Sequence, residues 1–197
     1  MGEKYEGRKF RTAFVGKEVP EETRSSEIIE WGKKFHSMGL FPEDDAKNAG
    51  NMSFRNSRGF VITSGGSDKR KLHFKDLVQV VSCNIDTMEV EAEGVAEPSS
   101  ETMLHNLIYS ERQDINAIIH VHDRLVLGSA KDLGIPVTKK KQEYGTPELA
   151  REVAKVLGHE SFIAIKDHGI VSMGKSVWEA GKQVQAFHNE AVSISGK

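Results

Sequence analysis

Ile118-Ile119-His120-Val121-His122-Asp123 decides how this chain is read, because the apolar residues leading into it predict a buried strand over Asn116 to His122. Successive side chains on a strand point to opposite faces, so His120 and His122 project from the same side and their ring nitrogens can reach one ion. The alternative is a pair of hydrogen-bonded or solvated imidazoles. Two further stretches supply company: His168 in Lys166-Asp167-His168-Gly169, and Glu101 in Glu97-Pro98-Ser99-Ser100-Glu101.

The elements around this strand alternate between the two periods. Arg11 to Val15 is strand-like, within a charged segment 1–24 that reads as an N-terminal extension lying on the body or on a neighbouring subunit. Ser25 to Gly39 reads as a helix ended by glycine. Short strands follow at Met52 to Arg55, Phe60 to Thr63, Leu77 to Cys83 and Met88 to Ala92, an antiparallel run separated by turn residues. A helix is expected from Pro98 to about Arg112, with Met103, Leu104, Leu107 and Ile108 as its apolar stripe. Leu125 to Leu133, Pro147 to Leu157 and Ser176 to about Ile194 read as helices, and Phe162 to Lys166 with Ile170 to Met173 as a strand pair turning at His168-Gly169. The expectation is one α/β domain over 25–197, a sheet covered by helices on both faces, with the three histidines at strand ends.

With 27 basic and 29 acidic residues among 197, the formal charge is -2. No global field draws the protein to nucleic acid or to an anionic membrane, so no partner of either kind is expected. The single cysteine, Cys83, has no internal partner for a disulfide, and no N-terminal apolar run resembles a signal peptide or membrane span. A cytoplasmic location is expected. Cys83 itself, in Val80-Val81-Ser82-Cys83-Asn84, reads as a small core residue.

Three imidazole ligands leave a fourth position open, as in a catalytic rather than a sealed zinc site. Imidazoles also suit cobalt, iron, nickel or copper. Glu101 has two readings, an acidic residue favourably placed in the first turn of a helix, or a group facing the open position as ligand and proton carrier. Ser99 and Ser100, where that helix begins, form either an ordinary cap or a phosphate or carboxylate site. Gly50-Asn51-Met52-Ser53-Phe54-Arg55 and Ile62-Thr63-Ser64-Gly65-Gly66-Ser67 each read, alone, as a turn beside a strand. Lys69-Arg70-Lys71 and Lys139-Lys140-Lys141 read as solvated surface. His105, one helical turn after Glu101, is either its orienting partner or a packed helix residue. Asp123 is read as a helix cap, His36, His73, His159 and His188 carry no partner motif, and Trp31 and Trp178 are expected in core or subunit contacts.

Taken in order, Gly50-Asn51-x-Ser53-x-Arg55, Ile62-Thr63-Ser64-Gly65-Gly66, Pro98-Ser99-Ser100-Glu101, His120-x-His122 and His168-Gly169 resemble the class II aldolase and adducin family, nearest to its fuculose-phosphate aldolase branch. The resemblance covers about 25–192 and includes Tyr144-Gly145-Thr146-Pro147-Glu148-Leu149-Ala150. It implies a single three-layer αβα domain with a mainly antiparallel central sheet, assembled as a homotetramer with active sites at subunit interfaces. It also implies one divalent ion per subunit, Zn2+ by preference, on His120, His122 and His168, with Glu101 as fourth ligand or catalytic proton carrier. Asn51, Thr63, Ser64, Gly65, Gly66, Ser99 and Ser100 would cradle the phosphate of a small phosphorylated sugar. The implied reaction is reversible cleavage of a phosphorylated ketose to dihydroxyacetone phosphate and an aldehyde through a metal-stabilised enediolate.

Two departures stand out. Thr63-Ser64-Gly65-Gly66 lacks the hydroxyl that the family's loop carries at position 65. The segment between His122 and Tyr144 is short and offers no counterpart of the distal tyrosine or aspartate that protonates the leaving oxygen; Tyr144 is a candidate by type, and fits better at the entrance to the following helix. The same family contains sugar-phosphate 4-epimerases, dehydratases and decarboxylases, and a non-catalytic adducin-head module that lacks the metal ligands.

Overall fold

The computed structural model describes residues 7–41 and 49–196; parts of the expected extension (1–6) and domain (42–48, 197) lie outside the described residues. In chain order the elements are β1 (Arg11–Gly16), α1 (Thr23–Ser37), β2 (Asn51–Asn56), β3 (Gly59–Thr63), β4 (Leu77–Asn84), β5 (Glu89–Glu93), α2 (Thr102–Glu111), β6 (Ala117–Val121), α3 (Arg124–Gly128), α4 (Pro147–Leu157), β7 (Phe162–Ile165), β8 (Gly169–Gly174) and α5 (Val177–Ser195). The eight strands form one sheet in the order β1-β5-β4-β3-β2-β6-β8-β7.

β6 is buried at all five positions, which explains its unbroken apolar run, since a strand covered on both faces needs no polar alternation. Its residues divide by parity. Ala117, Ile119 and Val121 join Ile28, Trp31, Phe35, Val126, Val177 and Val184 of α1, α3 and α5 on one face. Ile118 joins Met103, Leu104, Ile108, Leu149 and Val153 of α2 and α4 on the other. Helices therefore cover both faces of the sheet. His120 shares the parity of Ile118 and faces the α2 layer.

The sheet is mixed. β1 runs parallel to β5 at the edge, whereas the remaining neighbours pair antiparallel. The expected antiparallel run over β2 to β5 is present, but the N-terminal strand joins beside β5 in the same direction. Its outer side chains Phe14 and Val15 are 46% and 56% exposed.

Three expectations need correction. The helix expected from Pro98 begins at Thr102, because Pro98 instead bridges to Ser64 and the next residues fold into a turn in which Thr102 N–H and hydroxyl both donate to Ser99 O, at 3.1 and 2.6 Å. The helix expected to Leu133 ends at Gly128 and continues only as turns. Lys69, read as solvated, is 1% exposed, with its ammonium donating to Ser67 O at 3.0 Å and Ser67 Oγ at 3.2 Å; burial pushes its pKa down to about 8. Of the two tryptophans expected in core or subunit contacts, Trp31 stacks on Phe35 in the core and Trp178 is 61% exposed on the single chain.

Candidate functional site

β6 ends where its histidines emerge, and the β7–β8 turn brings His168 to meet them. That turn is tight: Asp167 adopts φ 57°, and His168 N–H donates to Ile165 O at 3.1 Å. Position 169 must be glycine for a steric reason. A Cβ there would sit 2.6 Å from Val121 O, 2.9 Å from His120 Cε1 and 3.0 Å from His122 Cδ2. The imidazoles can close up only because that side chain is missing.

His120 Nε2 lies 3.1 Å from His122 Nε2 and 3.1 Å from His168 Nε2, and one ligand atom of each residue lies within 4.8 Å of the others. Glu101 completes the group, with Oε1 3.1 Å from His168 Nε2 and Oε2 3.2 Å from His120 Nε2. Its carboxylate also accepts a hydrogen bond from Asn51 Nδ2 at 2.7 Å. The spacing fits a metal site, since nitrogens about 2.05 Å from a tetrahedral ion lie about 3.3 Å from one another.

Protonation fits as well. The Ile170 carbonyl, 2.9 Å from His120 Nδ1, can only accept, so it fixes the proton there and leaves the Nε2 lone pair facing its neighbours. Burial, reinforced by repulsion from His120 and His168, holds His122 well below the usual imidazole range. Burial alone raises the Glu101 carboxyl, but the surrounding His120, His168 and His122 outweigh it and hold it well below the usual carboxylate range. A carboxyl group set against three imidazoles is a donor set for a divalent cation.

The residues expected to hold an anion fall beside this cluster. The Ser64–Pro98 bridge, with Gly65 N–H donating to Glu97 O at 3.0 Å and Ser99 N–H to Thr63 O at 3.2 Å, lays the 63–66 loop along the 97–99 segment. Not every member points outward. Thr63 Oγ1 accepts from Met52 N–H at 3.2 Å, Ser99 Oγ accepts from Glu101 N–H at 3.3 Å, and Asn51 is engaged with Glu101 while its Oδ1 is buried without a partner among the described residues. Gly145, at φ 68°, packs so close that a Cβ would lie 2.8 Å from Ser100 O. Tyr144 is 7% exposed and donates to Gly7 O at 3.4 Å, as part of the entrance to α4.

Several side chains around the site make contacts that the sequence did not specify. His105 accepts or donates at Ser53 Oγ, 2.6 Å away, rather than at the Glu101 carboxylate, and Tyr109 OH meets the same hydroxyl at 2.7 Å. His188 pairs with Asp123 at 2.7 Å, and Asp123 caps α3 as expected, accepting from Leu125 and Val126 N–H at 3.0 and 3.1 Å. Arg8 reaches Glu97 at 3.1 Å, and Lys9 lies 4.9 Å over the Tyr144 ring, so the N-terminal segment touches both flanks of the Ser99-Ser100 stretch. Cys83 is chemically quiet, its thiol pushed up to about 12 by burial.

A sheet covered on both faces, with imidazoles and a carboxylate gathered at its strand ends, defines an α/β protein with a preformed polar site. The chain belongs to the class II aldolase and adducin N-terminal domain family, whose sequence model matches residues 26–192. It is 30% identical over 158 residues to an L-fuculose phosphate aldolase of Methanocaldococcus jannaschii, covering 73% of this chain and 82% of that protein. It is also 30% identical over 196 residues to a methylthioribulose-1-phosphate dehydratase of Methylococcus capsulatus, covering 84% and 90%. A solved L-fuculose 1-phosphate aldolase shares the fold, with a TM-score of 0.72 over 90% of this chain and 89% of that one at 24% identity.

Proposed function

We propose that the chain is a metal-dependent aldehyde-lyase that reversibly cleaves a phosphorylated ketose to dihydroxyacetone phosphate and an aldehyde. The observation that carries this reading is the position of the Glu101 carboxyl, within 3.1–3.2 Å of two imidazole nitrogens and anchored by Asn51. A Zn2+ ion held by His120, His122 and His168 would supply Lewis-acid polarisation of substrate oxygens. Glu101, charged and buried, is equipped to take a proton from the substrate and return it. Backbone and hydroxyl groups of Ser64, Gly65, Gly66, Ser99 and Ser100 would grip the phosphate, and Thr63 and Asn51 would hold that loop and the carboxylate in place. Fixing a remote phosphate holds the reacting carbons beside Glu101, so binding is converted into orientation.

Dehydration is the second reading, favoured by the equal identity to the dehydratase over a larger share of the chain. Product analysis separates the two. Incubating metal-loaded protein with a panel of ketose 1-phosphates yields dihydroxyacetone phosphate under the first reading and a dehydrated phosphate ester under the second. Absence of either product, with Glu101→Gln indistinguishable from the parent, would sink both.

The start of the family match at residue 26 supports taking 1–24 as an extension to a domain over 25–197. A homotetramer with interfacial sites is part of the proposal, and the exposed Trp178 offers apolar surface for such contacts. Cytoplasmic residence is likewise proposed from the lone cysteine; no helix among the described residues is long and apolar enough to cross a membrane.

A further inference from the structure

Three alternate residues of β2 meet Glu101, just before α2, and His105 and Tyr109 within it, positions spaced four apart. Asn51 donates to Glu101, Ser53 Oγ meets His105 Nδ1 at 2.6 Å and Tyr109 OH at 2.7 Å, and Arg55 donates to Tyr109 O at 2.6 Å and Arg112 O at 3.0 Å. The intervening Met52 and Phe54 point to the opposite core. Two residues of strand advance about 6.7 Å and four residues of helix about 6 Å, so the repeats stay nearly in step. Arg55 also places its guanidinium 4.7 Å over the Tyr109 ring while binding carbonyls at the C-terminal end of α2, where positive charge is favoured.

The middle rung is unusual. Ser53, His105 and Tyr109 are all buried, and His105 Nε2 has no hydrogen-bond partner among the described residues. A buried polar group left unsatisfied costs stability, and a wholly apolar contact between β2 and α2 would avoid that cost. Apolar surfaces, however, slide, whereas three hydrogen-bonded rungs permit one register.

We propose that Ser53, His105 and Tyr109 are positioning residues that lock α2 in register on β2 and thereby set the Glu101 carboxylate against the three imidazoles. This rests on the reading of Glu101 as a cation-facing group. Glu101 precedes the first residue of α2 and has no side-chain cap bond of its own to its helix, so the placement of that helix end determines where its carboxylate sits.

Co2+ titration followed by visible absorbance tests it, using the full chain, Ser53→Ala, Tyr109→Phe, and each combined with Glu101→Gln. Tyr109→Phe keeps the ring against Phe60 and Arg55 and removes only the hydroxyl. Each variant should bind Co2+ about tenfold more weakly when Glu101 is present, the low end of what outer partners of ligands contribute. In the Glu101→Gln background the same changes should alter binding by less than about twofold, the range of independent sites. Equal losses in both backgrounds, or no loss in either, overturn the proposal. If the parent binds no Co2+, the cation reading itself fails. The Glu101 side-chain carboxyl 13C resonance of the metal-free protein then decides: it moves in Ser53→Ala if the register lock exists, and an unmoved resonance refutes it.

Discussion

Adding one methyl group at Gly169 tests the link between backbone packing and the imidazole cluster. The new Cβ would meet Val121 O at 2.6 Å, and that carbonyl cannot retreat freely because Val121 pairs with Ile170 across β6 and β8. It would also press on His120 Cε1 at 2.9 Å and His122 Cδ2 at 3.0 Å, two rings whose nitrogens already converge. Overpacking of this kind costs about 1–3 kcal/mol. Relief comes by displacing the β7–β8 turn or the rings, and either opens the 3.1 Å spacings on which a shared ion depends. If about 1.4 kcal/mol of the strain falls on the bound state, Zn2+ affinity drops about tenfold. Urea denaturation and competitive Zn2+ titration of Gly169→Ala measure the two effects. Gly128→Ala is the control, since nothing among the described residues lies within 4 Å of its Cβ position and the change should be neutral or stabilising by up to about 1 kcal/mol. A Gly169→Ala protein with parental stability and parental Zn2+ affinity would refute the steric account of the cluster.

Acid sensitivity should depend on His105. Burial pushes its pKa down to about 3 from the ordinary 6.5, so the unfolded chain binds the extra proton and stability falls as pH drops from 6.5 toward 3. Between those limits the parent should lose up to about 1.4 kcal/mol per pH unit more than His105→Asn, as read from urea midpoints across pH; parallel profiles would contradict this. Phe35, fully buried between Trp31 and Phe41, should cost about 3–5 kcal/mol on truncation to alanine. A loss below 1 kcal/mol, far under that range, would mean the α1 layer is not packed as described.

The site was legible wherever a local period carries the geometry. Strand alternation is enough to put His120 and His122 on one side, and Lys166-Asp167-His168-Gly169 announces a turn that carries His168 back toward them. Lys69 was not legible, because neither its charge nor its neighbours signal that the chain folds over it. The start of α2 moved from Pro98 to Thr102 because Ser99 uses its hydroxyl and carbonyl to satisfy the following N–H groups, competing with the helix that proline alone suggests. Ser53 in β2 lies 52 and 56 positions from His105 and Tyr109 in α2, and their contact depends on tertiary register. The parallel pairing of β1 with β5 has the same origin, since hydrophobic pattern fixes that a strand exists but not which edge it joins.

Metal stoichiometry tests the central claim most directly. Dialysed protein incubated with Zn2+, passed over a desalting column and analysed for metal should retain one ion per chain. Replacing His120, His122 and His168 together by alanine should abolish retention while leaving the circular dichroism spectrum intact. Parent protein that emerges without zinc, or a folded triple variant that retains as much as the parent, would contradict the account.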